Sequence, residues 1–296
     1  DINPQIIGED VGEVVGLERI GVKVTANVEE ALKSSEIVLH ATSSYLPQVY
    51  PQLLEAVKLG KSVVSTCETL SYPFHRYPVL ARKLDEAART YGVSVIGTGI
   101  NPGFLLDTLA SVLAASVPTI KKIRARRSLD AAKRRSSFIK KIGVGLDPSE
   151  YGEKLKRGEY SGHVGYAESV YLIADAAGLN PSKVVEGQEP VIAEERVESG
   201  GIIVEAGKVS GIRGFGAGFV GDEERIRVEF EASVGAEEYE EIIVEGGDYS
   251  VKWRSSGTPG DLGTASIVLS VAERLEYAPY GLLTMSDLLP FRIGLR

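Results

Sequence analysis

The stretch Ser65-Thr66-Cys67-Glu68-Thr69-Leu70-Ser71-Tyr72-Pro73 brings together one carboxylate, one thiol and several small hydroxyl groups. It follows Lys61-Ser62-Val63-Val64, a β-branched run that reads as a short buried strand. Glu68 therefore falls just past the carboxyl end of an expected parallel strand, the edge at which open α/β sheets bind ligands. A lone acid there is suited to proton transfer; the alternative is an exposed loop carboxylate with no special role. Cys67 reads as a small packed residue rather than a nucleophile.

The elements that must position Glu68 alternate strand and helix through the first half of the chain. Residues 22–24 and 36–41 are candidate strands, the second ending at Thr42-Ser43-Ser44. Asn27 can cap a helix over 28–33, with Glu29 and Glu30 in its first turn. Further helices are expected over 50–59, stopped by Gly60, and over 78–91, stopped by Gly92. Residues 93–97 form another strand, and Gly99-Ile100-Asn101-Pro102-Gly103-Phe104 leads into a helix over 105–115. This alternation predicts an α/β fold built on a doubly wound parallel sheet. The pattern changes near Pro118. Residues 197–209, 224–233 and 240–244 read as antiparallel strands punctuated by glycines, with one helix over 167–177. An apolar helix over 263–275 is expected to pack back on the first domain. The resulting division is a dinucleotide-binding domain over 1–118, an α+β domain with an antiparallel sheet over 119–259, and a return helix and tail over 260–296.

Composition narrows the function classes. No apolar run approaches the roughly 18 residues of a membrane span, and no signal-peptide pattern is present, so a cytoplasmic protein with no membrane partner is expected. One cysteine rules out an internal disulfide framework. His40, His75 and His163 are too scattered for zinc-type spacing, and no acidic cluster has the spacing of a metal site; no metal is expected. A net charge of −8 argues against nucleic acid as a partner. Between Lys121 and Lys141, however, ten Lys and Arg residues meet a single acid, Asp130. A solvated basic face is the expected reading and anion binding the alternative. Scarce Met, Cys, Asn and Gln beside abundant Glu, Lys and Arg give a thermophile-like bias.

A dinucleotide-binding domain opens with a strand, a glycine-rich turn and a helix that receive the pyrophosphate, and an acid about 20 residues later holds the ribose. No G-x-G-x-x-G precedes a strand here, and Gly214-Phe215-Gly216 lies in the β-rich half. Asp1 stands where the ribose acid would be if roughly 30 residues came before it. The expectation is a sheet that lacks its first β-loop-α unit within this chain, with Asp1 favouring NAD; the alternative is an ordinary terminal residue.

Several segments carry a family resemblance. They are Asp1-Ile2-Asn3-Pro4 with Gly12-Glu13-Val14-Val15-Gly16; His40-Ala41-Thr42-Ser43-Ser44; Ser65-Thr66-Cys67-Glu68; Gly99-Ile100-Asn101-Pro102-Gly103-Phe104; Lys141-Ile142-Gly143-Val144-Gly145; Gly162-His163-Val164-Gly165; and Ala278-Pro279-Tyr280-Gly281-Leu282-Leu283-Thr284-Met285. In order and spacing the chain resembles the 2,4-diaminopentanoate dehydrogenases and related native amine dehydrogenases, distant relatives of dihydrodipicolinate reductase. It departs from them in the missing glycine loop and in Arg126-Arg127-Ser128-Leu129-Asp130-Ala131-Ala132, which matches only in part. The paired-histidine motif of dihydrodipicolinate reductase itself is absent.

The resemblance implies a Rossmann-type sheet, an NAD or NADP cofactor, and oxidative deamination of an amine or diamino acid, with a ketone and ammonia as partners in reverse. Glu68 is then the proton-transfer residue. Asp1, Ala41, Thr42, Ser43, Cys67, Asn101 and Pro102 form the cofactor group; for Thr42 and Ser43 a turn cap, and for Asn101-Pro102 a helix start, are the alternatives. Asn101, Arg127, Asp130, His163, Tyr166 and Thr264 form the substrate group. Arg127 suits a substrate carboxylate, or with Asp130 serves structure if the substrate is a plain amine. His163 reaches the substrate or makes a structural hydrogen bond. Tyr166 and Tyr171 read as pocket wall or core. A homodimer through the sheet of residues 195–245 is expected. The competing readings are another oxidoreductase of aspartate-derived substrates and a nonenzymatic nucleotide-binding protein.

Overall fold

The computed structural model describes residues 3–290. One buried carboxylate organises the opening segment. Asp10 accepts the backbone N–H groups of Gly12, Ile20 and Gly21 at 2.9, 3.0 and 2.7 Å, which caps α1 (Val11–Val14) and folds the chain back on itself. Asn27 caps α2 (Val28–Leu32), its side-chain oxygen 3.1 Å from the Glu30 nitrogen.

Strand and helix then alternate as β1 (Ile37–His40), α3 (Leu46–Lys58), β2 (Ser62–Ser65), a 3-10 turn (Glu68–Leu70), α4 (Pro73–Arg76), α5 (Pro78–Tyr91), β3 (Ser94–Gly97) and α6 (Thr108–Ala114). The strands β1, β2 and β3 pair in parallel, with Leu39 opposite Val64 and Val64 opposite Ile96. A late strand, Gly281–Leu283, joins the same sheet beside β3, also in parallel. The apolar stripes of α3 and α5, including Leu46, Leu53 and Leu84, bury against Val63 and Val95.

Two helices differ from their expected bounds for local reasons. α3 starts at Leu46 rather than near residue 50 because Thr69 caps it: Thr69 Oγ1 accepts the Leu46 N–H at 2.8 Å, across 23 residues. Pro47 fits the first turn, where no N–H is needed. α6 starts at Thr108, later than expected, because residues 101–107 form turns anchored on the Asp107 carboxylate.

The second sheet comprises β4 (Ile120–Asp130), β5 (Lys183–Ile192), β8 (Val209–Val220), β9 (Glu223–Ser233), β10 (Tyr239–Gly246) and β11 (Ser250–Ser255). Between its strands lie α7 (Ser136–Lys141), α8 (Pro148–Lys156), α9 (Tyr166–Ala176) and a small ribbon, β6 (Val197–Ser199) with β7 (Ile202–Val204). The strand order is β11-β10-β4-β9-β8-β5. Pairing is antiparallel except between β4 and β9, which run parallel. The chain between those two strands is long enough for a crossover, a relation that hairpin-range patterning does not reveal. The strand expected over 197–209 is instead the β6–β7 ribbon, turned by Gly200 and Gly201, and the entry to β8.

The glycines of residues 211–218 are not turn signals. They lie inside β8, where a Cβ on Gly216 would come within 2.7 Å of the Tyr166 carbonyl oxygen and one on Gly218 within 2.7 Å of Val170. Their bare backbone lets α9 rest directly on the sheet, with Val170 and Ile173 packed against Ile123, Val228 and Ile242. Finally α10 (Gly260–Leu275) returns to the first sheet, placing Val268, Val271 and Leu275 against Val64 and Ile96, and is followed by the edge strand β12 (Gly281–Leu283). Among the described residues no helix is long and apolar enough to cross a membrane.

Several members of the basic run pair with acids on the strands on either side of β4. Lys122 meets Glu224 at 2.6 Å, Arg124 meets Glu245 at 3.6 Å, and Arg126 meets Glu231 at 3.7 Å. Lys133 and Arg134 pair with Glu238 and Asp261. One member faces inward: Arg127, 2 % exposed, pairs with Glu240, 1 % exposed, at 3.1 Å and donates to the Thr258 carbonyl at 2.7 Å. Burial pulls the Arg127 guanidinium down to about 10, against the opposing pull of Glu240. Arg127→Ala strands Glu240 in the interior, and we expect a loss of about 3–5 kcal/mol in unfolding free energy, read from urea denaturation midpoints.

Candidate active site

The Glu68 turn is built by its neighbours. At the end of β2 the Thr66 N–H bonds to the His40 carbonyl at 2.9 Å, and the Thr69 N–H bonds to the Ser44 carbonyl at 3.1 Å. The turn then lies flat on the end of β3. A Cβ on Gly97 would stand 2.4 Å from the Leu70 carbonyl carbon and 2.5 Å from the Ser71 nitrogen, so only glycine admits this approach. Glu68 emerges at the C-terminal edge of the sheet with its side chain 23 % exposed, and its Oε1 lies 3.6 Å from Nζ of Lys141, which is 28 % exposed and ends α7. Cys67 turns the other way. It is 1 % exposed in the α3–α5 core, where burial pushes its thiol up to about 11. Its side chain, expected in the cofactor group, is turned into this core.

One strand over, the loop after β3 is pinned from three sides. The buried Asp107 carboxylate accepts the Gly103 and Thr108 N–H groups at 2.9 and 2.6 Å and the Ser169 hydroxyl of α9 at 2.7 Å. Thr264 Oγ1 of α10 accepts the Ile100 N–H at 3.4 Å and donates to the Gly260 carbonyl at 2.8 Å. At the start of α9, Gly165 abuts Pro102, with room for a Cβ only 2.5 Å from the proline ring. Inside this frame both polar atoms of the Asn101 amide are buried and have no hydrogen-bond partner among the described residues. An amide left with a free donor and a free acceptor is costly unless a ligand supplies the complement. A nicotinamide carboxamide has that donor–acceptor pair, so Asn101 fits the expected cofactor.

His163 approaches from the second sheet. Its N–H bonds to Gln188 Oε1 at 3.1 Å, and its ring lies between Tyr166 and Phe230, with centroids at 4.8 and 4.5 Å. Burial, assisted by the charges of Lys141 and Arg127, pushes the imidazole down to about 3. Glu68, Lys141 and His163 thus share one electrostatic environment. Tyr166 turns its hydroxyl toward Gly214 of β8, where a Cβ would come within 2.4 Å of the oxygen, and burial raises its pKa.

Other expected members serve elsewhere. Asp130 closes a turn at the end of β4: it accepts the Ala132 and Gly235 N–H groups at 3.0 and 2.9 Å and the Ser199 hydroxyl. Arg127, expected in the substrate group, is held by the Glu240 carboxylate, and Asp130 by uncharged hydrogen-bond donors, so both are engaged with the scaffold. Thr264 is a joint between α10 and the Asn101 loop. Past β1, Ala41 is exposed, the Thr42 hydroxyl donates to Gln52 at 2.9 Å, and the Ser43 hydroxyl donates to Gln48. Asp1 lies outside the described residues. Lys141 and Asp107 escaped the sequence reading. Lys141 looked like the last charge of a basic face, and Asp107 like one polar residue in an expected helix.

Comparison with known proteins agrees with this architecture. A family model described as the 2,4-diaminopentanoate dehydrogenase C-terminal domain matches residues 104–293, a span that includes Lys141, His163 and Tyr166. A 2,4-diaminopentanoate dehydrogenase of Acetoanaerobium sticklandii is 29 % identical over 265 residues, covering 86 % of this chain and 74 % of that protein. An amine dehydrogenase of Streptomyces virginiae is 31 % identical over 138 residues, 43 % of this chain and 37 % of that one. The structure of an amine dehydrogenase from Mycobacterium smegmatis has the same fold, with a TM-score of 0.81 at 22 % identity over 96 % of this chain and 86 % of that one.

The depressed His163 has a measurable consequence. Its pKa falls from the ordinary 6.5 to about 3 on folding. Below pH 6.5 the unfolded chain takes up a proton that the folded chain refuses, so this residue's contribution to stability is present above that pH and is lost as pH falls toward 3. Urea midpoints of His163→Gln are expected to fall less steeply than wild type over this interval, and the wild-type imidazole NMR signals of His163 should not titrate between about pH 5 and 8.

Proposed function

Because the chain belongs to the 2,4-diaminopentanoate dehydrogenase family, matched over residues 104–293, we propose that it is an oxidoreductase of CH–NH2 donors. It deaminates an amine or diamino acid with NAD or NADP and, in reverse, aminates a ketone with ammonia. The observation that carries this reading is the half-buried Glu68 carboxylate at the C-terminal edge of β2, one strand from the unpartnered Asn101 amide beyond β3.

A bound nicotinamide cofactor supplies the hydride acceptor. Asn101 holds the carboxamide, fixing which face of the ring is presented to the substrate. Glu68 takes one proton from the substrate ammonium, leaving the free amine whose lone pair assists loss of hydride from carbon. Once Glu68 has passed that proton to solvent, the regenerated carboxylate stands beside the iminium that results and stabilises its charge. Water adds to the iminium carbon while Glu68 takes a proton from it; that proton returns to nitrogen, and as the C–N bond breaks Glu68 takes the hydroxyl proton, so that ammonia leaves and the ketone remains. His163 stays neutral through these steps, so it adds no cation beside the developing charge. Its rings, with Tyr166 and Phe230, supply an apolar wall that limits water. A homodimer belongs to the same reading, supported by a mixed sheet whose face opposite α9 carries half-exposed Arg227, Glu229 and Glu231 as a mixed-sign surface.

The test is NADH or NADPH oxidation with a ketone and ammonia, using full-length protein. Glu68→Gln should lower kcat by about 10²- to 10⁴-fold while cofactor affinity, measured by NADH fluorescence, stays close to wild type. Turnover that needs no ammonia contradicts the reaction, and parallel loss of turnover and cofactor binding contradicts the role of Glu68.

A further inference from the structure

Arg76 ends α4, the short helix that follows the Glu68 turn, and reaches across to α9 and β5. Its Nε donates to Glu168 Oε1 at 2.5 Å, and its Nη2 donates to Glu168 Oε2 at 3.3 Å and to Glu186 Oε1. Glu168 sits in the first turn of α9 and is 1 % exposed. Glu186, on β5, also accepts the Ala167 N–H at 3.0 Å. One cation between two carboxylates thus joins a helix of the first domain to a helix and a strand of the second. Beside it the rings of Tyr72 and Tyr171 stack with centroids 5.3 Å apart, and the His75 ring lies 4.5 Å from that of Tyr171.

Both ends of this bridge carry the site. On one side the Glu68 turn rests on Gly97 through Leu70 and Ser71, and α4 starts at Pro73. On the other, Gly165 abuts Pro102 and Tyr166 packs on His163, all within five residues of Glu168. The bridge therefore runs from the acid to the element that buttresses the Asn101 loop. A buried ion pair is a poor source of stability, because desolvation offsets much of its attraction. A planar guanidinium with donors in a fixed fork is well suited to setting direction. The stacked rings already hold the two elements in contact, and the fork adds registry. Resting on the amine-oxidation reading, we propose that Arg76 and Glu168 are positioning residues, whose bridge sets the distance and angle between the Glu68 carboxylate and the cofactor ring held at Asn101.

Two full-length variants separate position from stability. Arg76→Met combined with Glu168→Leu replaces the pair by apolar side chains, an exchange that commonly leaves stability unchanged or raised. Arg76→Lys keeps a cation for Glu168 and loses the fork. In each, kcat for ketone amination should fall about ten- to one-hundred-fold, while the NADH dissociation constant and the urea midpoint stay close to wild type. Wild-type kcat in either variant overturns the proposal, and so does a loss of kcat matched by an equal loss of cofactor binding. If the wild type itself aminates no ketone, the fault lies with the amine-oxidation reading, and the chain's one cysteine then decides on the bridge. Cys67 is buried next to Glu68, so its rate of reaction with a soluble aromatic disulfide reports the opening of this turn. A rate about ten-fold or more above wild type in the double variant, at an unchanged urea midpoint, supports the bridge; equal rates refute it.

Discussion

A carboxylate held between water and the protein interior is the constraint on which the rest of this structure depends. Fully solvated, Glu68 would be screened and weakly directed; fully buried, it would have to protonate or find a permanent partner. Backbone geometry sets the compromise. The Glu68 turn can lie on the end of β3 only because Gly97 has no side chain, and Thr69 binds the turn to the start of α3. The same contacts therefore build the layer between sheet and helix and bring the acid to the C-terminal edge of the first sheet, facing Lys141.

Opposite this turn the second sheet contributes an environment more than a set of reactive groups. Glycines within β8 let α9 lie close, and α9 in turn brings Gly165 against Pro102 and Ser169 onto Asp107. Two elements from different sheets thereby share one pinned loop, and the Asn101 amide is enclosed without a partner as a result. His163, stripped of charge by burial, and Lys141, paired with Glu68, divide the electrostatic work on that side. One gives an uncharged wall and the other a countercharge for Glu68.

Much of this was readable before any coordinates. The β-branched runs before Glu68 and Gly99 marked central parallel strands, because residues buried on both faces leave little compositional choice, and the run before Thr42 marked the edge strand, whose Leu39 is half exposed. Glu68 was legible because its place after such a strand has a general meaning. What escaped depends on partners distant in sequence. The cap on Leu46 comes from Thr69, the mixed sheet owes its parallel pair to a long crossover, and the glycines of β8 answer to Tyr166 and Val170 rather than to turns. Arg127 and Asp130 looked like ligands because their types suit ligands; only the positions of Glu240, Ser199 and Gly235 reveal that one is paired with an acid and the other engaged by hydrogen bonds within the scaffold. Lys141 was hidden for the opposite reason, in a run several of whose members face acids on the scaffold.

The most direct measurement is a crystal structure of the full-length protein with a nicotinamide cofactor and an unreactive analogue of an amine substrate. This account predicts the analogue's nitrogen within hydrogen-bond reach of Glu68, about 2.6–3.2 Å, with the cofactor carboxamide on the Asn101 amide. An analogue seated elsewhere, with Asn101 still unpartnered and Glu68 facing no ligand, would contradict it.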